Sequence, residues 1–226
     1  QLRSLGVKVF VGHEASQIAG ANVVVTSTAV KPDNPEVLAA KRMNIPVVPR
    51  AMMLAELLRL RSGIAIAGAH GKTTTTSLAY FMFEKAGYNV SVVGNIGHSF
   101  ARQLVINPTE WYVMEISSFQ LDDIITFKPD IAIITNITPD HLDRYQYDFS
   151  LYVKSKFNIA KNQTPDDYLI LCKDDPATLD YLNKNILTPK ILFFTMNESL
   201  NADGAYVNDN EIMIRVNGEP FSISIN

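Results

Sequence analysis

Hydrophobic positions fall in short runs separated by stretches of helical spacing along almost the whole chain. The runs "VKVFV" (7–11), "NVVVT" (22–26) and "IPVVP" (45–49) have the length and β-branched content of strands. Between them, "NPEVLAAKRM" (34–43) offers an Asn cap and a proline at the first helical position, and "AMMLAELLRLR" (51–61) carries an apolar stripe. From Gly63 the alternation restarts and lasts longer. "GIAIA", "NVSVVG", "WYVMEI", "DIAIITNI", "YLILC" and "KILFF" predict strands, with helices near 71–86, 97–105, 148–160 and 175–184. Such alternation predicts an α/β fold with a mostly parallel sheet covered by helices. The tail "GAYVNDNEIMIRVNGEPFSISI" (204–225) has another rhythm: period-two runs broken at "ND" and "NG" predict a small antiparallel hairpin region. The expected organisation is a partial α/β domain over 1–50, a linker helix over 51–62 and a larger α/β domain over 63–226.

Composition narrows the function classes. The chain has 226 residues, 47% hydrophobic and 19% charged, which is enough to bury a core. A net charge of −3 gives no basis for a nucleic-acid partner. The single cysteine, Cys172, excludes an internal disulfide and a cysteine zinc cluster, and suits a reducing, cytoplasmic setting. No apolar run approaches the ~18 residues of a spanning helix, and no basic-then-apolar leader precedes the first strand, so no membrane insertion is expected. The chain opens on Gln1 in "QLRSLGVKVFVG", which reads as a helix end entering a strand and leads us to expect a fragment.

Chemistry concentrates in "IAIAGAHGKTTTTSLAYFMFEKAG" (64–87), where an apolar strand meets a glycine turn, a lysine, four threonines and a helix. The common phosphate-loop spacing, G-x-x-x-x-G-K-[ST], would put its first glycine at Ile66, still inside the strand; here the loop is shorter, from Gly68 to Gly71. A strand ending at Ala67 and a helix starting near Lys72 set the N–H groups of 69–73 at a helix N-terminus, where unpaired donors and the dipole favour an anion. Glycines 68 and 71 let backbone approach a phosphate, Lys72 supplies charge, and the Thr73 hydroxyl suits Mg²⁺. His70, inside the loop, either touches phosphate or faces solvent.

Two further stretches repeat the pattern of a buried strand delivering polar residues. "YVMEISSFQL" (112–121) ends on Glu115, a candidate second Mg²⁺ ligand, followed by Ser117, Ser118 and Gln120. "IAIITNITPDHLDRY" (131–145) leads into Asn136, then Asp140, His141, Asp143 and Arg144; a histidine flanked by carboxylates after a buried strand is a better ligand candidate than His13 or His98. "YVKSKFNIAKN" (152–162) puts Lys154, Lys156 and Lys161 on a helix, where spacing alone reads as a solvated basic face.

The motifs "GAHGKTTTT", "GNIG", "EISSFQL" and "TNITPDHLDRY", in this order, resemble the Mur ligases, the ATP-dependent enzymes that add amino acids to peptidoglycan precursors. That family's phosphate loop is the short G-x-x-G-K-[ST] form. Residues 1 to about 75 resemble the members that add L-alanine; residues from about 78 to 226 resemble those that add D-glutamate. A hybrid gene or an unusual family member would each produce this mixture. The resemblance implies a P-loop central ATPase domain preceded by part of a Rossmann-like domain for the UDP moiety, with the amino-acid-binding third domain beyond Asn226. It implies ATP bound by Gly68, Ala69, His70, Gly71, Lys72, Thr73 and Thr74, and Mg²⁺, two ions, held by Thr73, Glu115 and His141. It implies a UDP-N-acetylmuramoyl substrate contacted by Asn95, Ser117 and Gln120, a free amino acid as co-substrate, and Lys156 as a carbamate that ligates metal. Lys72, Glu115, His141 and Lys156 would then be the catalytic set. A generic P-loop kinase or NTPase would share Lys72 and Thr73 without needing Asn95 or Lys156, and a non-catalytic nucleotide-binding module is the third reading.

Overall fold

The computed structural model describes residues 2–27, 29–59, 61–96, 100–122 and 124–225, without the side chains of 51 and 54. Two compact units divide the chain, 1–53 and 54–226.

In the first unit, β1 (Val24–Thr26) pairs in parallel with β2 (Val47–Pro49), and α1 (Pro35–Arg42) makes the crossover. The Asn34 side chain caps α1 by accepting from the N–H of Glu36 at 2.9 Å, and Pro35 occupies the first turn, where no N–H is needed. Ile18, Ala39 and Ala40 form a small core. The strand expected at 7–11 is not formed; Val11 is 92% exposed. Alternating hydrophobicity makes a strand only where a neighbour accepts its hydrogen bonds, and among the described residues none pairs with this run. The helix expected at 51–61 is α2, Arg50–Leu58.

Among the described residues, the second unit is built on one nine-stranded sheet: β3 (Ser62–Ala67), β4 (Val90–Gly94), β5 (Trp111–Glu115), β6 (Ile131–Ile134), β7 (Tyr168–Cys172), β8 (Lys190–Thr195), β9 (Gly204–Asn208), β10 (Glu211–Val216) and β11 (Glu219–Ser224). Their spatial order is β4-β5-β3-β6-β7-β8-β9-β10-β11. Pairings from β4 through β9 are parallel, and the last two are antiparallel. The "NG" turn between β10 and β11 has φ of 53° at Asn217 and 80° at Gly218, the mirror-image turn that matches strand twist.

β3 is buried on both faces, so its residues read as a continuous apolar run. Ile64 and Ile66 face a cluster with Val113, Ala79, Tyr80 and Phe83, which includes residues of α3 (Lys72–Lys85). Ala65 and Ala67 belong to the main core with Met114, Ile134, Tyr152 and Leu169. That core is closed by α4 (Phe100–Ile106), α5 (Ser118–Asp122), α6 (Phe149–Phe157) and α7 (Pro176–Lys184). The short α5 lies in "EISSFQL" and has no helical signal of its own; His98 and the expected start of α4 at 97 lie outside the described residues. The crossover from β5 to β6 passes β3, so the exit of β3 lies between two outward-leading loops, the position where open α/β sheets bind ligands.

Candidate active site

The loop Gly68–Gly71 joins β3 to α3, and its geometry needs both glycines. Gly68 has φ of 144°, and a Cβ there would run into the Thr135 side chain; Gly71, φ 80°, is the αL residue from which α3 starts. Lys72 folds back over the loop, its Nζ donating to the carbonyls of Gly68 at 3.0 Å and Ala69 at 2.8 Å. Thr73 points the other way, and its hydroxyl donates to Glu115 Oε2 at 2.7 Å. The parallel register sets Glu115 beside Ile66, so a carboxylate only 6% exposed ends up beside the first turn of α3.

Lys156 enters from α6. It is 2% exposed, and its Nζ donates to the Gly68 carbonyl at 2.7 Å, so that one oxygen serves two ammonium groups. Burial and, after it, the charge of Lys72 pull its pKa down to about 8 against the opposing charges of Asp140 and Asp122. Its neighbour Tyr152 is pushed up to about 12, chiefly by burial and then by Asp140. Lys154 and Lys161 are exposed, and Lys161 reaches the Ile124 carbonyl at 3.4 Å.

The remaining expected residues follow the neighbouring strands β4, β5 and β6. Asn95 follows the exposed end of β4, its N–H 3.3 Å from the Glu115 carbonyl. Ser117 donates from its N–H and its hydroxyl to Gln120 Oε1, at 2.9 and 3.0 Å, so these two residues form one unit. His141 is in the αL region at φ 50°, its side chain 54% exposed, with Nε2 3.5 Å from Asp140 and its ring 5.0 Å from that of Phe119. Arg144 covers the same Phe119 ring at 4.2 Å. The structure therefore joins Thr73 to Glu115 and Lys72 to Lys156 through Gly68, while His141 contacts Asp140 and Phe119. Among the described residues, no three His, Cys, Asp or Glu side chains converge as a metal cluster.

Sequence reasoning missed the network behind α5 and α6. Tyr145 donates to Asp122 at 2.9 Å and sits 3.1 Å from the Ser155 hydroxyl, which donates to the Ser118 carbonyl at 3.1 Å. It also assigned all N–H groups from 69 to 73 to an anion. Those of Ala69 and His70 instead donate to Asn136, at 2.9 Å each. By helix geometry the donors lacking an intrahelical acceptor run from Gly71 to Thr74.

Residues 66–226 match the family described as Mur ligase middle domain, and residues 1–62 match Mur ligase family, catalytic domain. This chain belongs to the Mur ligase family. As a Mur ligase it is 40% identical over 211 residues to the UDP-N-acetylmuramoylalanine–D-glutamate ligase of Christiangramia forsetii, covering 93% of this chain and 47% of that protein. It is 46% identical over 178 residues to the UDP-N-acetylmuramate–L-alanine ligase of Leptothrix cholodnii, covering 78% of this chain and 38% of that protein. The chain thus spans less than half the length of these curated relatives, and the alanine-type likeness extends beyond the first 75 residues. The Mur ligase fold is shared with a Neisseria meningitides UDP-N-acetylmuramate:L-alanyl-gamma-D-glutamyl-meso-diaminopimelate ligase, at a TM-score of 0.68 and 23% identity over 97% of this chain and 73% of that one. No helix among the described residues is long and apolar enough to cross a membrane.

Proposed function

We propose that this chain is the ATP-binding part of an ADP-forming ligase that joins an amino acid to a UDP-N-acetylmuramoyl substrate in the cytoplasm. The observation that carries this reading is the Thr73–Glu115 hydrogen bond beside a lysine-bearing phosphate loop. The residues fit Mg²⁺: Glu115 is a buried carboxylate next to a hydroxyl, and hard oxygen donors of this kind suit that ion. Thr73 and Glu115 would hold one Mg²⁺, and His141 with a carbamylated Lys156 a second. Bound there, the ions would neutralise phosphate charge during transfer.

The chain's own groups do the positioning. The first N–H groups of α3 hold the ATP phosphates, and Lys72 exchanges its loop carbonyls for phosphate oxygens. The substrate carboxylate attacks the terminal phosphorus, ADP leaves, and an acyl phosphate forms. The amine of the amino acid then adds to the acyl carbon, and the tetrahedral intermediate expels phosphate and loses a proton to give the amide. Nothing requires a nucleophilic side chain, and the roles of Lys72 and the helix start are electrostatic. Asn95 and the Ser117–Gln120 pair face the UDP-muramoyl group. A pKa near 8 leaves Lys156 a neutral fraction that carbon dioxide converts to a carbamate with release of a proton, reversing its charge.

D-Glutamate is the favoured amino acid, because the likeness to a D-glutamate ligase runs over 93% of the chain. L-Alanine addition is the second reading, favoured by 46% identity to an L-alanine ligase. Phosphate release by the full-length protein decides between them. Release with UDP-N-acetylmuramoyl-L-alanine plus D-glutamate is expected; release only with UDP-N-acetylmuramate plus L-alanine would select the second reading, and release with neither would refute both.

A further inference from the structure

The end of β6 grips the phosphate loop by one peptide. The side-chain amide of Asn136 matches His70 group for group: Oδ1 accepts from the His70 N–H at 2.9 Å, and Nδ2 donates to the His70 carbonyl at 3.0 Å. The Thr135 hydroxyl donates to the same carbonyl at 2.7 Å. Main-chain bonds extend the seam, from the Ala69 N–H to the Asn136 carbonyl at 2.9 Å and from the Thr135 N–H to the Ala67 carbonyl at 3.0 Å. A carboxamide carries a donor and an acceptor on one planar group, so it can pair with a peptide as a neighbouring strand would. Aspartate keeps the acceptor and loses the donor; alanine loses both.

This pairing determines which way the loop faces. With the N–H groups of Ala69 and His70 turned toward β6, the donors left to an anion are those at the start of α3, beside Lys72. A His70 peptide free to rotate would let the loop point those groups elsewhere, and binding would have to restore the orientation each time.

We propose that Asn136 is a positioning residue for ATP, setting the phosphate loop through the His70 peptide. The proposal rests on the nucleotide-binding reading above. It is tested on the full-length protein by calorimetric titration with ATP–Mg²⁺ and, separately, with the UDP-muramoyl substrate. Asn136→Ala should weaken ATP binding by roughly 10- to 50-fold, the loss expected when two oriented hydrogen bonds go, and Asn136→Asp, which loses the donor alone, by roughly 3- to 10-fold. Thr135→Val, which keeps the shape and removes one bond, should lose roughly 3- to 10-fold. Affinity for the UDP-muramoyl substrate should stay unchanged, and amide hydrogen exchange across the phosphate loop should rise in the Asn136 variants. Unchanged ATP affinity in Asn136→Ala would overturn the proposal. So would a parallel loss of both ligands with a lowered melting temperature, which is the mark of a merely structural residue. Should the alanine variant fail to fold, the near-isosteric Asn136→Asp decides by the same readings. Failure of the unaltered protein to bind ATP would instead remove the nucleotide reading itself, and the proposal with it.

Discussion

A buried ammonium carries a desolvation cost in the second unit. Lys156 is 2% exposed, and its pKa of about 8 lies below the 10.5 of an unfolded lysine. Below about pH 8 both states hold the proton, so the folded state bears the full burial penalty. Between about 8 and 10.5 the unfolded state holds more protons, and stability rises with pH. Lys156→Met removes the charge and keeps the volume, so it should stabilise the protein at pH 7 by about 1–3 kcal/mol. Melting in buffer freed of carbon dioxide checks this: the gap between variant and parent should narrow from pH 8 to 10.5, and phosphate release should be abolished at every pH. A lower melting temperature for the variant would contradict it. Glu115→Gln keeps the Thr73 contact but removes the carboxylate charge; it should lower phosphate release at least ~100-fold with little change in fold, in line with losing one preorganised electrostatic contact. Lys72 and Thr73 were legible because the loop sequence itself carries their chemistry. Spacing did not single out Lys156, since lysines at 154, 156 and 161 look alike by spacing, and only the family resemblance selected it. A helical stripe offered the missing signal: Tyr152, Val153, Lys156, Phe157 and Ala160 are all buried, so Lys156 occupies a core-facing position.

Strand ends carry the site, so backbone fit between neighbouring elements matters as much as side-chain identity. β4 and β5 come together at Gly94, φ 107°, where a Cβ would strike the Glu115 carbonyl. Gly94→Ala should therefore destabilise the unit by about 1–3 kcal/mol in urea titration and weaken the UDP-muramoyl substrate through the adjacent Asn95. Gly87→Ala is the comparison. At φ 85° with open space around it, it meets backbone strain alone, about 1 kcal/mol, and should leave substrate affinity untouched. Equal effects of the two on substrate binding would show that the β4–β5 contact does not position Asn95. Elements with strong local signals were legible at this scale. Asn34 and Pro35 announced α1, and Asn217-Gly218 announced the last hairpin, because a cap or a turn is settled by two or three adjacent residues. The run at 7–11 had the same alternation as a true strand and formed none, because strand pairing depends on a distant partner that local pattern does not encode.

Across the whole molecule, alternation of strands and helices was enough to predict a parallel sheet, but not its order. That β3 lies between β5 and β6, and that loops from 68, 115 and 135 therefore meet, follows from long-range packing that a single sequence leaves open. The two units differ greatly in the means to hold themselves together. The core over 54–226 has apolar clusters on both faces of the sheet, whereas the unit over 1–53 buries Ile18, Ala39 and Ala40 around a two-stranded pair. Within these 226 residues, so small a core leaves that unit marginally stable. Unfolding should accordingly proceed in two steps, with the smaller unit lost first and limited proteolysis leaving a resistant fragment that starts near residue 54. The phosphate loop and its partners all belong to the larger unit, so ATP–Mg²⁺ should act on the second step alone. At a hundredfold excess over its dissociation constant, ATP would add about 2.7 kcal/mol to that step. Differential scanning calorimetry with and without ATP–Mg²⁺ reads both quantities. A single transition, or one in which ATP raises both steps equally, would mean that the two units unfold as one cooperative body.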